Sequence, residues 1–259
     1  MKPVALITGA SAGMGTIYAK RFAEKGYNLI LVARREERLR QLAEELKQNY
    51  AANTQIVVAD LTHDEDVAAV EAVIASAESL ETVVNCAGSG ALGKIDEVSA
   101  TDLDAMLKLN VIALTRLTQA AVKNFKAHQT KGTLINIASF VISLNGGGLA
   151  AYCGSKAHVL HFSRGLQEEL AADGIKVQAV LAGLMSSEFF GGEEIPFPAH
   201  LVTTPDKVVD ASLQDLADGV YISIPSLHDE AKWPQYEAAR LELMAALTQN
   251  GSPAARYGL

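Results

Sequence analysis

Cysteine is scarce in this sequence: Cys86 and Cys153 are the two among 259 residues. Neither lies in a C-x-x-C or histidine-rich spacing, which argues against a disulfide framework and a structural zinc, and both are expected to be free thiols. Long apolar runs are missing too. No uncharged stretch approaches the ~18 residues that span a bilayer, so no membrane partner is expected and the protein is read as cytoplasmic. The short run Val4 to Ile7, after Met1-Lys2-Pro3, leads straight into a glycine turn and reads as a first strand, not a secretory leader. An excess of positive charge is also lacking. With 22 Lys and Arg against 30 Asp and Glu the net charge is -8, and the charges are scattered, which argues against nucleic acid or an anionic membrane as main partner. Any phosphate must be met locally.

Hydrophobic residues make up 49% and charged residues 20%, enough for a substantial buried core. No internal repeat, low-complexity tract or linker divides the chain, so a single domain over 1–259 is expected. Short continuous apolar runs alternate with longer segments of helical period, the pattern of a parallel sheet covered by helices. The runs Val4 to Thr8, Asn28 to Ala33, Gln55 to Ala59, Thr82 to Cys86, Gly132 to Ala138, Lys176 to Leu181 and Val220 to Ile224 predict seven strands. The fold class is therefore α/β: a Rossmann-type, doubly wound, seven-stranded and mostly parallel sheet with helices on both faces. Thr62 with Glu65 reads as a capping box, Thr204 before Pro205 as an N-cap, and Gly26 and Gly174 as helix stops. Residues 186–203 lose periodicity and read as a long loop, either a lid over a substrate site or an ordered surface insertion.

After the first strand comes Thr8-Gly9-Ala10-Ser11-Ala12-Gly13-Met14-Gly15, running into a helix. Such a turn turns backbone N–H groups and a positive helix end toward a pyrophosphate, and its small residues let the phosphates approach. The spacing is G-x-x-x-G-x-G. Farther along stand Asp60, Asn85-Cys86-Ala87-Gly88, Asn110, Ser139 and Tyr152-Cys153-Gly154-Ser155-Lys156. In order and spacing this set resembles the short-chain dehydrogenase/reductase family, whose signatures are T-G-x-x-x-G-x-G, N-N-A-G and Y-x-x-x-K. The resemblance covers roughly the first 190 residues. It implies a cofactor site drawn from Gly9, Ser11, Ala12, Gly13, Met14, Gly15, Asp60, Leu61, Asn85, Ala87 and Gly88, with Asp60 on the adenine amino group and Leu61 beside the ring.

The end of the second strand lies beside the adenine ribose in a dinucleotide-binding fold, where an acid favours NAD. This chain reads Ala33-Arg34-Arg35 there, with no carboxylate and two guanidinium groups that suit a 2′-phosphate. NADP(H) is preferred, with NAD(H) possible. The alternative is that Arg34 and Arg35 pair with Glu36 and Glu37 on a solvated helix.

Tyr152 and Lys156 are four residues apart at the start of a helical segment and share one face. A phenol titrates near ~10, and a nearby ammonium favours the phenolate. Ser139 ends the fifth strand at the carboxyl edge of the sheet, where such folds bind ligands. By the resemblance, Ser139 orients a substrate carbonyl, Tyr152 passes it a proton as hydride arrives from the nicotinamide, Lys156 tunes Tyr152 and holds the nicotinamide ribose, and Asn110 holds a relay water. The family's P-G after the sixth strand is replaced by Ala182-Gly183-Leu184-Met185-Ser186-Ser187. Gly183, Met185 and Ser187 are left to contact the nicotinamide amide, on a turn that has lost a fixed proline backbone.

Phe140, Val141, Phe189, Phe190 and Phe197 are candidate contacts for an apolar ketone, aldehyde or secondary alcohol substrate. His158 and His161 read as packing residues, Gly146-Gly147-Gly148 as a surface loop, and Trp233 as packing on the C-terminal helix. The expected function is an NADP(H)-dependent carbonyl reductase or alcohol dehydrogenase, assembled by family analogy as a homodimer or homotetramer. The alternatives are a silent NADP-binding sensor or a dehydratase or epimerase on the same fold.

Overall fold

The structure, a computed structural model, describes the chain apart from residues 145, 146, 187, 189–196, 250 and 259. It falls into two compact units, Met1–Pro225 and Ser226–Leu259.

The first unit carries all seven strands: β1 (Val4–Thr8), β2 (Asn28–Ala33), β3 (Thr54–Val58), β4 (Leu80–Asn85), β5 (Thr133–Ile137), β6 (Lys176–Val180) and β7 (Ile222–Ser223). They form one sheet in the order β3-β2-β1-β4-β5-β6-β7. Every pairing is parallel. The chain winds outward from β1 in both directions, so the β1–β4 boundary is the switch point where loops diverge and leave a crevice.

Side chains alternate across the strands, and the sheet therefore feeds two cores. Ala5 and Ile7 of β1 pack on one face with Met14 and Phe22 of α1 (Gly13–Glu24), Leu39 of α2 (Glu36–Tyr50) and Val209 of α7 (Pro205–Ala217). Leu6 between them faces the opposite way. It joins Val70 and Ile74 of α3 (Asp64–Ser76), Leu117 and Phe125 of α5 (Leu114–Ala127) and Leu166 of α6 (Ala150–Glu169). Burying one such large side chain stabilises the fold by about 1.5–3 kcal/mol, so helices on both faces follow from strands that are apolar on both. Tyr18 is fully buried in the first core, where its hydroxyl meets that of Ser212 at 2.6 Å and avoids being left unpaired.

Three local expectations need correction. Strand β7 is only Ile222–Ser223, because Val220 donates its N–H to the Asp215 carbonyl and closes the end of α7. The N-cap of α3 is His63, not Thr62, so the capping box does not form. The Thr62 hydroxyl instead donates to Asp60, and Asp64, Glu65 and Asp66 in the first turn meet the positive helix end. The long helix around Asn110 is also not uniform. It runs as α4 (Ala100–Leu107), a π-helical segment Lys108–Ala113 that holds Asn110, and then α5. Such a widened turn displaces its residues relative to a regular helix.

The second unit contains α8 (Lys232–Leu247), in which the Trp233 and Tyr236 rings meet at a tilt with centroids 5.1 Å apart. Leu241, Leu243, Met244 and Leu247 on this helix are exposed.

Candidate active site

The site is built on the carboxyl edge of β1, β4 and β5. The Thr8 hydroxyl accepts the backbone N–H groups of Cys86 and Ala87, each at 3.0 Å, which ties the exit of β1 to that of β4. Gly9 then turns with φ of +69°, and a Cβ on it would lie 2.9 Å from the Ala87 backbone, so only glycine fits. The Thr16 hydroxyl donates to the Ala10 carbonyl at 2.9 Å and holds the turn against α1. Ala12 is the N-cap of α1, and the first helical turn carries no acid. Among the described residues no side chain caps this helix start, and Gly13 and Met14 in its first turn line a cavity.

That cavity has a volume of about 700 Å³. Gly9, Ser11, Ala12, Gly13 and Met14 line it at the turn, Arg34, Arg35, Asp60 and Leu61 at one end, and Ser139, Tyr152 and Lys156 at the other. Ala87, Gly88, Gly183 and Met185 complete the expected cofactor wall. Its length, its uncapped helix start and its cationic end fit a dinucleotide. Gly15, Asn85 and Asn110, which the sequence pattern predicts at the site, stand behind its lining. Gly15 packs on the Gly9 carbonyl. The Asn85 amide donates to Thr118 on α5 and to Asn136 on β5. Asn110 is buried one layer back, where its Oδ1 accepts the Ser89 N–H at 3.0 Å and its Nδ2 donates to the Ser89 carbonyl and the Ser155 hydroxyl.

At the inner end, Ser139, Tyr152 and Lys156 are 7%, 9% and 5% exposed, so all three are screened from bulk water. The Tyr152 and Ser139 hydroxyls are hydrogen-bonded to each other. The Lys156 ammonium donates to the Ile137 carbonyl at 2.9 Å and lies 5.9 Å from the centre of the Tyr152 ring. Gly88 leaves room for it, since a Cβ there would meet Asn110 Oδ1 at 3.3 Å and Lys156 Nζ at 3.4 Å. Electrostatics correct one expectation. Burial pushes the Tyr152 phenol up to about 12 despite the Ser139 hydrogen bond, and burial pushes Lys156 down to about 8. In the protein alone, desolvation sets the direction for Tyr152, against the lowering expected from a nearby ammonium.

At the outer end, neither arginine pairs with its neighbouring glutamates among the described residues. Glu36 bonds Arg40, and Glu37 accepts from Gln41. Arg34 is 72% exposed and stands 3.6 Å from Asp60. Arg35 reaches back to the glycine turn, donating from Nε and Nη2 to the Ser11 hydroxyl at 3.1 and 3.0 Å. Its Nη1 donates to Glu188 at 2.6 Å, and Arg38 Nη1 donates to the same carboxylate at 2.7 Å. The sequence motifs single out neither Arg38 nor Glu188. Arg38 lies one helical turn beyond Arg35, a spacing that gave a signal; Glu188 gave none.

The turn without proline is held by another device. Met185 bridges Thr203, the Thr203 N–H donates to the Leu184 carbonyl at 3.0 Å, and the Ser186 N–H donates to the Thr203 carbonyl at 3.0 Å. Phe140, Val141 and Phe197 line the cavity. Ser187, Phe189 and Phe190 lie outside the described residues, as does Gly146. Leu92, Leu109, Leu144 and Leu149 add apolar lining that periodicity alone did not single out. His158 stacks on Phe162 and bonds Thr115, a packing arrangement.

A parallel sheet in this order, with a glycine turn at its switch point and a serine, tyrosine and lysine at its edge, defines a dinucleotide-binding α/β protein. The profile of the short chain dehydrogenase family matches residues 3–194. The chain belongs to this family of oxidoreductases. It is similar to a solved short-chain dehydrogenase of Sphingobium yanoikuyae in complex with NADPH, at 36% identity over 98% of this chain and 99% of that one, with a TM-score of 0.93. It is also similar to a bulky-bulky ketone specific alcohol dehydrogenase of Comamonas testosteroni, at 35% identity over 97% of each chain and a TM-score of 0.89. Among curated relatives, an uncharacterised oxidoreductase of Staphylococcus haemolyticus is 30% identical over 85% of this chain and 94% of its own length. Among the described residues, no helix is long and apolar enough to cross a membrane.

Proposed function

We propose that this protein is an NADP(H)-preferring oxidoreductase that interconverts a bulky apolar ketone and its secondary alcohol. One observation carries the reading: a single cavity joins a cationic end at Arg34 and Arg35 to a buried, hydrogen-bonded Ser139–Tyr152 pair beside Lys156. When bound, the nicotinamide supplies or takes up a hydride. The protein's own groups do the rest. Ser139 donates a hydrogen bond that fixes the substrate oxygen, and Tyr152 transfers a proton to that oxygen during reduction. With its phenol raised to about 12, Tyr152 is protonated at neutral pH, the state that reduction requires. Lys156, anchored on the Ile137 carbonyl, holds positive charge beside the ring and steadies the phenolate left behind. Asn110, bonded to Ser89 and Ser155, keeps the segment behind Lys156 in place for a proton supply.

The preference for bulky ketones is supported by the apolar wall of Leu92, Leu144, Leu149, Val141 and Phe197, and by the likeness to the Comamonas enzyme. The preference for NADP(H) is supported by the arginines and by the NADPH-bound relative. A cytoplasmic homodimer or homotetramer is part of this reading, with Leu107 and Ile112 leaving apolar surface exposed at the end of α4 and on the π-helical segment that follows it. The test is cofactor consumption by the purified protein across ketones of increasing bulk, with NADPH and NADH side by side. Faster turnover of NADPH with bulky ketones is expected. A cofactor that binds without turnover on any carbonyl would overturn the enzymatic reading.

A further inference from the structure

The carboxylate of Glu188 lines the same cavity as Ser11, Arg34 and Arg35, although it comes from beyond β6, on the substrate side. One of its oxygens meets Arg35 at 2.6 Å and Arg38 at 3.0 Å; the other meets Arg38 at 2.7 Å. Two guanidinium groups converging on two oxygens is the arrangement with which arginines hold a phosphate. The arginines hold the Glu188 carboxyl below the usual carboxylate range, so it is a full anion at neutral pH. Arg35 is anchored independently through Ser11, and it therefore stays aimed at the cavity whichever anion it meets.

We infer that Glu188 is a built-in competitor for the 2′-phosphate of the cofactor, occupying Arg35 and Arg38 until that phosphate displaces it. The inference rests on the NADP(H) reading above and adds Arg38 to the phosphate-binding group. All three side chains are about half exposed: 42% for Arg35, 47% for Arg38 and 52% for Glu188. Ion pairs this open are weak and exchange readily. A phosphate dianion brings more charge and a third acceptor oxygen, and it takes over the arginines. A nucleotide without that phosphate has nothing to exchange for Glu188. The competitor thus lowers affinity for phosphorylated nucleotides only, and it leaves the arginines paired, not bare, when no cofactor is bound.

The test is calorimetric titration of wild type and Glu188→Gln with 2′,5′-ADP, 5′-AMP, NADPH and NADH. Glutamine keeps the size and loses the charge, and at a half-exposed position the fold is expected to be undisturbed; matching circular dichroism and melting curves check this. Glu188→Gln is expected to bind 2′,5′-ADP and NADPH about three- to tenfold more tightly, with 5′-AMP and NADH unchanged. Glu188→Ala should behave the same way. Weaker or unchanged binding of 2′,5′-ADP would overturn the inference, as would equal tightening of 5′-AMP, which would mean a general charge effect. The wild-type ratio of 2′,5′-ADP to 5′-AMP affinity tests the cofactor reading separately. A ratio near one in the wild type that rises in Glu188→Gln would refute the NADP(H) preference while upholding Glu188 as a competitor.

Discussion

At the Tyr152 end of the cavity the polar groups are buried, and each is set by a regular element: Ser139 caps the short turn just past β5, and Tyr152 and Lys156 stand in the first turns of α6. At the Arg35 end the groups are half exposed and are held by ion pairs between a helix and a segment 150 positions away. Desolvation dominates the first, moving Tyr152 up and Lys156 down. Solvent screens the second, where partners can exchange without repacking a core. Rigid elements thus hold the groups that must meet a reacting atom, while the groups that select a cofactor sit where anions come and go.

If this contrast is right, a change at the buried end should cost turnover and spare binding. Tyr152→Phe removes the hydroxyl that bonds Ser139 and leaves the ring in place. Turnover should fall by about a hundred- to ten-thousandfold, the usual worth of a general acid. The dissociation constant for NADPH should stay the same by titration. A parallel loss of NADPH affinity would break the separation of the two ends.

The buried end should also impose a pH limit. Lys156, pushed down to about 8, is charged below that pH and neutral above it. The charge that steadies Tyr152 is therefore lost as pH rises. For reduction, kcat/KM for NADPH, which reports ionisation in the free enzyme, should drop about tenfold per pH unit beyond that point. Lys156→Arg, whose guanidinium does not titrate in this range, should lower the rate overall and remove the break. The same break in Lys156→Arg would show that another group titrates.

What was legible beforehand divides along the same line. The glycine turn and the Tyr152–Lys156 pair are local patterns, a strand running into a helix and two residues on one helix face, so spacing reads each of them and the family resemblance joins them into one site. The alternating apolar runs gave six strands to within one or two residues. The seventh was overread because Val220 is apolar, yet its N–H is used to close α7. Asn110 was visible as a residue, but the π-helical segment that sets it behind Lys156 has no simple spacing. Arg38 and Glu188 could not be joined from sequence, because an ion pair across 150 positions depends on where two segments finish in space. The loss of proline at Ala182 pointed to a loose turn, and only the bridge from Met185 to Thr203 shows what restrains it.

The exposed end should respond to substitution in proportion to anchoring. Arg35 is held by Ser11 and is poised at the glycine turn, so Arg35→Ala should weaken NADPH binding about five- to tenfold and leave NADH nearly unchanged. Arg34 is 72% exposed and faces Asp60 at 3.6 Å, beyond hydrogen-bonding distance. Its pairing with Asp60 must be rearranged before it can serve a phosphate, which offsets part of what it contributes. Arg34→Ala should therefore weaken NADPH by only about twofold, as an exposed ion-pair partner does. Titrating both variants at low and high salt sharpens the ranking, because screening should shrink both effects together while keeping Arg35 ahead. If Arg34→Ala proved the more damaging, the phosphate would sit nearer Asp60 than Ser11, and Glu188 would no longer lie in its way.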